Sequence, residues 1–305
     1  MTIIRKEEVL PERPVIILLY GSPGVGKTSV FNTSKNPVLI DADRGADRSI
    51  FRQDTIIASN WKEILADESE IKNYSTVGID TAKSVLDDFL MVHVVEQDYK
   101  LKTNKLKAYG AIADEFKLFV NRRRGEKLDM VIIAHAKEEK DGDNTRISPD
   151  VTGGSKDLLL RIADQVGYMY MDNNQRTINF NPTDKTVGKN VARFPLLTVP
   201  NETEPEFKTF MADIIQRVKS SIQEKSEEQK ELLAKIETVQ TELSEIDSPE
   251  KAAKVSGLIK GLPKAHQVAF QNSFREKIQK ENIEWNKTTE IFQYKENVTS
   301  QSNQS

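Results

Sequence analysis

The segment "LLYGSPGVGKTS", residues 18–29, has the most informative combination of residue types and spacing in the sequence. Three glycines follow an apolar run, and glycine adopts backbone conformations that other residues avoid, so successive N–H groups can point into one hollow. A helix that begins near Lys27 would direct the positive end of its dipole into the same hollow. The spacing G-x-x-x-x-G-K-T is that of a P-loop, a phosphate-binding motif.

In a P-loop the lysine contacts the β- and γ-phosphates and the next hydroxyl residue binds Mg²⁺, which predicts these roles for Lys27 and Thr28. The predicted cofactors are therefore ATP and Mg²⁺. A glycine-rich turn without a ligand would account for the glycines, but it leaves the Gly-Lys-Thr ending unexplained. The predicted nucleotide-binding residues are Gly21, Ser22, Pro23, Gly24, Val25, Gly26, Lys27, Thr28 and Ser29.

A carboxylate is needed to steady the metal, and "YSTVGIDTAKS" at 74–84 provides one. This mostly apolar strand ends at Asp80, in the pattern called Walker B. We therefore predict that Asp80 and Thr28 form the metal site. The alternative is that Asp80 only caps the helix that follows.

Hydrolysis also requires a group that orients the attacking water. The segment "VLIDADRGADRS" places Asp41 and Asp43 two residues apart, so that alternation along the chain puts both on one side, near the γ-phosphate. His135 ends the strand of "MVIIAHAKEE", which we expect beside the P-loop strand. A polar side chain there can respond to the γ-phosphate, although a histidine can also be a simple polar strand end.

The elements that must position these residues alternate along the first two thirds of the chain. Short apolar strands separated by helices predict an α/β fold with a mostly parallel central sheet flanked by helices and a ligand crevice at the carboxyl ends of the strands. We assign this ATPase domain to residues 1–205. Its predicted strands are 15–20, 37–41, 75–80, 129–134, 165–171 and 176–181. Its predicted helices lie near 60–72, 82–97, 108–124 and 155–163.

The chain changes character after residue 205, where a helical extension is predicted. Apolar residues repeat at heptad spacing over 206–247, which is typical of one long helix that packs on its own domain or forms an intermolecular coiled coil. A small basic helical region is expected over 248–290 and a disordered tail over 291–305. The net charge is −6 over 223–250 and +6 over 251–280. The basic island is either a phosphate-binding face or a docking surface for the acidic helix.

The order of the motifs resembles the core of RecA recombinases over about residues 14–200. More narrowly, the sequence is similar to compact RecA-like ATPases of bacteriophages, which include Sak-type single-strand annealing proteins. The resemblance implies a RecA-like P-loop core, and it makes Asp43 the counterpart of a catalytic glutamate. The motifs are "IDAD" at 40–43, "GIDT" at 78–81, "IIAHAK" at 132–137, "VTGGSKDLLL" at 151–160 and "TVGKNVARFP" at 186–195.

The same resemblance implies further roles. His135 stands where RecA has a glutamine that couples nucleotide state to DNA binding, and Lys189 stands where RecA has a lysine that reaches the ATP of the neighbouring subunit. The predicted catalytic residues are therefore Asp43, Lys27, His135 and Lys189. Two DNA-binding loops are implied, at 96–110 and at 137–154. The first of them carries four predicted DNA-binding lysines: Lys100, Lys102, Lys105 and Lys107.

The expected partners are single-stranded DNA, further copies of the chain in a ring or filament, and a single-strand-binding protein. With no cysteine, the 305-residue chain has no disulfide or thiolate metal site, which agrees with a cytoplasmic location, in the bacterial host cell if the protein is phage-encoded. No apolar run approaches the roughly eighteen residues of a membrane span, and the first residues lack the apolar core of a signal peptide. We therefore expect no membrane partner.

The leading hypothesis is an ATPase that acts on single-stranded DNA in phage recombination or annealing. The main alternative is a hexameric helicase-like motor or a helicase loader in phage DNA replication. A small-molecule kinase is also compatible with the P-loop, but the sequence shows neither an arginine-rich lid nor an acceptor pocket. A further alternative is a nucleotide switch without hydrolysis, because Asp43 is one methylene shorter than the glutamate of RecA.

Overall fold

The computed structural model describes residues 4, 8, 10–141 and 144–295. The chain divides into two compact units, of which the first comprises Pro11–Gln223. The second contains Leu10 and the chain from Glu224 onward. In the described part of the chain, no helix is long and apolar enough to cross a membrane.

The first unit contains a large sheet and its covering helices. Its strands are β1 (Ile16–Gly21), β2 (Pro37–Asp41), β3 (Asp54–Ile57), β4 (Thr76–Asp80), β5 (Asp129–Asp141), β6 (Asn144–Pro149), β7 (Gln165–Asp172), β8 (Gln175–Asn179), β9 (Lys189–Asn190) and β10 (Leu197–Thr198). Its helices are α1 (Lys27–Phe31), α2 (Trp61–Ala66), α3 (Glu68–Ile71), α4 (Leu90–Gln97), α5 (Lys105–Gly125) and α6 (Gly153–Ile162), followed by the start of α7 (Phe210–Ser244).

The strand order is β10-β8-β7-β1-β5-β4-β2-β3. The six strands from β7 to β3 in this order run parallel, whereas β8 and β10 continue the sheet in antiparallel pairings. The predicted fold class, an α/β fold with a mostly parallel central sheet and flanking helices, is therefore confirmed. The carboxyl ends of β1 and β4 lie on either side of the middle of β5, which is where a ligand crevice is expected.

The central strand β1 is buried along its whole length, and its side chains enter two separate cores. Ile16, Leu18 and Tyr20 pack in the core that α2, α4, α5 and α6 cover. Ile17 and Leu19 pack in the core that α1 and the start of α7 cover. This burial on both faces explains why β1 is a continuous apolar run, and each such side chain stabilises the fold by about 1.5–3 kcal/mol.

Two segments that the sequence predicts to be loops form regular secondary structure. The segment 137–154 is one of the two implied DNA-binding loops, but β5 continues to Asp141 and pairs with β6 as an antiparallel hairpin. Ile147 of β6 packs against the first core, and this burial holds the hairpin on the domain. The segment 96–110 is helical: a 3₁₀ turn at Tyr99–Thr103 leads into α5, and Asn104 caps α5 by accepting a hydrogen bond from the Lys107 amide at 3.1 Å. Asn is a favoured helix cap, which explains the early helix start.

The second unit contains the end of α7, two shorter helices and a β-hairpin. Its elements are α8 (Pro249–Lys260), α9 (Lys264–Lys280), β11 (Ile283–Asn286) and β12 (Ile291–Tyr294). Strand β12 corrects the prediction of a disordered tail from residue 291, because its pairing with β11 orders 291–294. The remainder of the predicted tail, 296–305, lies outside the described residues.

The heptad stripe of α7 is used within the chain. Met211 and Val218 are buried in the second core of the first unit, whereas Val239 is buried in a separate core of the second unit, formed with α8 and β11. This packing favours the amphipathic helix over the intermolecular coiled coil. The basic island is partly used as a docking surface, since Lys251 and Lys254 form ion pairs with Asp247 and Glu242 in the acidic segment.

Candidate nucleotide-binding site

The sheet brings three of the four predicted catalytic residues, Lys27, Asp43 and His135, together with Asp80 near the carboxyl ends of its central strands. Gly21 at the end of β1 lies opposite His135 in β5, and Asp80 at the end of β4 lies opposite Ile133 two residues earlier in β5. A cavity of about 390 Å³ opens at this edge. It is lined by most of the P-loop together with Asp43, Asp80, Thr81 and His135, by residues of the 45–50 segment, and by Arg176 and Glu202.

The three glycines of the P-loop are required for different physical reasons. Gly24 and Gly26 adopt φ angles of 76° and 100°, in the left-handed region that favours glycine. Gly21 has no positive φ, but a Cβ at this position would lie 2.1 Å from the carbonyl oxygen of Met169 in the adjacent β7. Helix α1 begins at Lys27, directly after this turn, so its amino end faces the cavity.

Lys27 is buried, and its ammonium group donates hydrogen bonds to the carbonyl oxygens of Gly21 and Ser22, both at 2.9 Å. Burial lowers the pKa of Lys27 to about 8, and the nearby charge of Asp80 opposes this shift. A cation held against its own loop in a hollow of amide groups is well placed to bind an anionic phosphate.

The predicted metal residues are in direct contact. The Thr28 hydroxyl donates a 2.6 Å hydrogen bond to the Asp80 carboxylate, which is 7% exposed. Burial raises the pKa of Asp80, while the Thr28 hydrogen bond and the charge of Lys27 oppose the rise. Among the described residues there is no cluster of three or more acidic, histidine or cysteine side chains able to hold a metal alone. A hydroxyl and one carboxylate fit Mg²⁺, which commonly takes its other ligands from water and substrate phosphates.

Asp43 lines the same cavity as Thr28 and Asp80, and two hydroxyl groups hold its carboxylate in place. Thr81 donates to one of its carboxylate oxygens at 3.0 Å, and Ser84 donates to the other. A carboxylate has about four acceptor positions, so Asp43 keeps capacity to bind a water molecule. His135 lies with its Nε2 atom 3.9 Å from the same carboxylate. Burial and the charge of Lys27 lower the pKa of His135, so that its ring is neutral at pH 7.

Asp41 does not accompany Asp43 in the cavity. Its buried carboxylate accepts hydrogen bonds from the amides of Gly45 and Ala46, at 3.0 and 2.9 Å. Asp41 therefore fixes the turn after β2, and the expectation that both acids approach the γ-phosphate was wrong for this residue. Alternation holds within a strand, but the chain leaves β2 at Asp41 and turns.

The remaining predicted residues lie away from the cavity. Lys189 pairs with the amino-terminal part of β7, and its ammonium group donates to the Ala163 carbonyl, so its action on the ATP of a neighbouring subunit stays a prediction. The four predicted DNA-binding lysines are all exposed around the start of α5. Tyr99 is 71% exposed beside them, with the Lys102 ammonium 5.2 Å from the centre of its ring.

Four contributing residues were missed in the sequence. Thr81 follows the Walker B acid directly and Ser84 comes four residues after it, and their spacing in "DTAKS" is a signal that could have been used. Arg176 and Glu202 had no such signal, because the chain folds back over many residues before it brings them to the cavity.

The parallel sheet, the P-loop at the end of its central strand and the Thr28–Asp80 pair define the class of P-loop NTPases. The sequence pattern of the AAA domain, a P-loop NTPase family whose members generally bind ATP with Mg²⁺, matches residues 13–192. The chain belongs to this family. No curated protein matches the chain. The narrower resemblance to phage annealing proteins stays a prediction.

The low pKa of Lys27 predicts a pH dependence of nucleotide binding. Its ammonium group loses its proton as the pH rises through about 8, whereas phosphate groups are already ionised there. Only the protonated form attracts phosphate, so the Kd for ATP should be flat near pH 7 and rise about ten-fold per pH unit well above 8. Equilibrium titration with a fluorescent ATP analogue between pH 6.5 and 9.5 measures this.

The matched control is Lys27→Arg, which keeps its charge across this range. Its Kd should be independent of pH above 8, whatever its value. An equal rise of Kd with pH in this variant would show that another group controls binding.

Proposed function

We propose that this protein is an Mg²⁺-dependent ATPase that acts on single-stranded DNA in recombination or annealing. The observation that carries the ATPase part is the convergence of Lys27, the Thr28–Asp80 pair and Asp43 on one cavity. The DNA part is supported by the exposed lysines beside Tyr99 and by the resemblance of the motif order to RecA. ATPase measurements with and without a single-stranded oligonucleotide test both parts together.

Each residue has a physical task in hydrolysis. The P-loop amides and Lys27 bind the β- and γ-phosphates and neutralise charge on them. Thr28 and Asp80 hold Mg²⁺, which supplies electrostatic stabilisation of the phosphate oxygens when it is bound. Asp43 accepts a hydrogen bond from the attacking water and orients it. Neutral His135 lies in the middle of β5, with its Nε2 atom 3.9 Å from the Asp43 carboxylate. It links this region to the segment that follows the β5–β6 hairpin, because its carbonyl oxygen accepts a 2.8 Å hydrogen bond from the Asp150 amide.

The role of Asp43 predicts a separation of hydrolysis from binding. Asp43→Asn keeps the size of the side chain and its contacts with hydroxyl groups, but it removes the charge that orients the water. We expect kcat for phosphate release to fall about 10²- to 10⁴-fold while the Kd for ATP changes less than about three-fold. Single-turnover release of phosphate and equilibrium binding give the two quantities.

Asp157→Asn, at an exposed position on α6, is the matched control and should leave kcat unchanged. Equal activity of the Asp43 and Asp157 variants would exclude Asp43 as the water-orienting group. If the wild-type protein itself releases no phosphate, with or without DNA, the nucleotide switch without hydrolysis is the better description.

The second candidate function is a helicase-like motor or a helicase loader. It is favoured by the polar β5–β6 hairpin, which extends the strand that carries His135 beyond the sheet. The two functions differ in their products. Pairing of complementary strands supports annealing, and ATP-dependent separation of a forked duplex supports the motor. Assembly into a ring or filament, with Lys189 reaching the ATP of a neighbour, belongs to both.

A further inference from the structure

An arginine from outside the P-loop reaches over it. Arg176 lies in β8, where it pairs with Met171 of the β7–β8 hairpin. Its side chain crosses Gly26: a Cβ built on that glycine would lie 3.1 Å from the Arg176 Nε atom. Arg176 therefore lies next to the amides that are proposed to bind phosphate, and it lines the same cavity as Lys27.

Arg176 is paired with a carboxylate that lies at the edge of that cavity. Its Nη1 atom donates to Oε1 of Glu202 at 2.6 Å, and their side chains are 33% and 28% exposed. About a third of each side chain is exposed, so solvent partly screens the ion pair and exchanging one partner for another anion costs less than it would for a fully buried pair. Glu202 belongs to the segment after β10, which is tied to β8 by a 2.8 Å hydrogen bond from the Val199 amide to the Arg176 carbonyl.

The charges around the cavity favour such an exchange. Among the described residues that line it, the carboxylates are Asp43, Asp80 and Glu202, and the cations are Lys27, Arg48 and Arg176. A triphosphate adds several negative charges to this balanced set. A guanidinium group binds phosphate through two parallel hydrogen bonds, and the guanidinium group of Arg176 lies beside Gly26 of the P-loop.

We propose that Arg176 is a phosphate-binding residue that leaves Glu202 for the nucleotide, so that Glu202 competes with ATP for the same guanidinium group. This inference rests on the nucleotide site proposed above and adds a residue from β8 to it. The exchange has a second consequence: the segment that contains Glu202 loses its ion pair to β8 when nucleotide binds. Nucleotide binding thereby changes the contacts of the segment that leads into α7.

The test measures Kd for ATP and ADP in three variants by titration with fluorescent analogues. Arg176→Ala should weaken ATP binding at least about ten-fold, and Arg176→Lys should fall between this variant and the wild type because it keeps the charge but not the bidentate geometry. Glu202→Gln should tighten ATP binding about three-fold or more, because the competing carboxylate is removed. Arg161→Ala, an exposed arginine of α6, is the control with no expected effect.

Each outcome has a definite meaning. Wild-type ATP affinity in Arg176→Ala would show that the arginine only joins β8 to Glu202, and weakened binding in Glu202→Gln would show that Glu202 positions Arg176 rather than competing for it. Either result overturns the proposal. Thermal unfolding of all variants identifies any that fail to fold, and Glu202→Gln still decides the question if Arg176→Ala is one of them. Lys27→Ala distinguishes this failure from failure of the nucleotide site itself, since it tests the site without Arg176.

Discussion

Lys27→Ala is expected to abolish ATP binding, with a rise in Kd of at least about a hundred-fold. Lys27 is 5% exposed, and the carbonyl oxygens of Gly21 and Ser22 hold its ammonium group against the P-loop. Truncating one partner of a buried charge-assisted contact costs about 2–5 kcal/mol, and a hundred-fold change corresponds to about 2.7 kcal/mol. Equilibrium titration with ATP and Mg²⁺ measures the effect.

Lys72→Ala, an exposed lysine after α3, is the matched control and should bind ATP as the wild type does. Removal of Lys27 also takes away a charge that opposes the raised pKa of Asp80, so the folded state of the variant should be checked by thermal unfolding. Tight ATP binding by a folded Lys27→Ala protein would contradict the site as a whole.

The second large effect is expected when Lys100, Lys102, Lys105 and Lys107 are changed to alanine together. Each lysine that contacts a phosphate of single-stranded DNA contributes about 0.7 to the slope of log K against log salt, so the slope should fall by about 3. At about 0.15 M salt this corresponds to roughly a hundred-fold weaker binding. Fluorescence anisotropy with a labelled oligonucleotide at several salt concentrations gives both values. ATP affinity without DNA should be unchanged, because none of the four lysines lines the cavity.

The basic island of the second unit supplies a control of equal charge. Lys260, Lys264, Arg275 and Lys280 are also exposed. Their replacement by alanine should leave the salt slope nearly unchanged. If this variant loses the slope and the variant of residues 100–107 keeps it, the DNA-binding surface lies in α8 and α9, and the phosphate-binding interpretation of the island is the correct one.

The helical structure of 96–110 affects how these lysines meet DNA. A flexible loop would order on binding at an entropic cost, whereas α5 and the preceding 3₁₀ turn hold the backbone in place. Tyr99 is available for base stacking at little further cost, because a tyrosine side chain has few rotatable bonds. The segment 96–110, predicted as a loop, is therefore a preformed surface.

Most of the correct predictions came from local sequence patterns. The P-loop spacing, the Walker B strand ending at Asp80 and the apolar runs of the central strands were readable because each depends on residues close together in the chain. Ser248 and Pro249 likewise predict the start of α8, and the Ser248 side chain caps it there. Where the pattern was weak, prediction failed: β12 is a four-residue strand with no fully buried side chain, and it exists because β11 pairs with it.

At the functional site, too, the features that depend on neighbouring residues were predictable and the contacts between distant segments were not. Local patterns were enough to predict a phosphate-binding turn between an apolar strand and a helix, since glycine conformations and helix dipoles are local properties. No local pattern predicts that Asp43 faces the cavity while Asp41 turns away to the amides of Gly45 and Ala46, because this depends on the folded chain. The fold likewise brings Arg176 over Gly26 and pairs it with Glu202. These contacts depend on the direction in which each segment leaves the sheet and on which distant segment packs beside it.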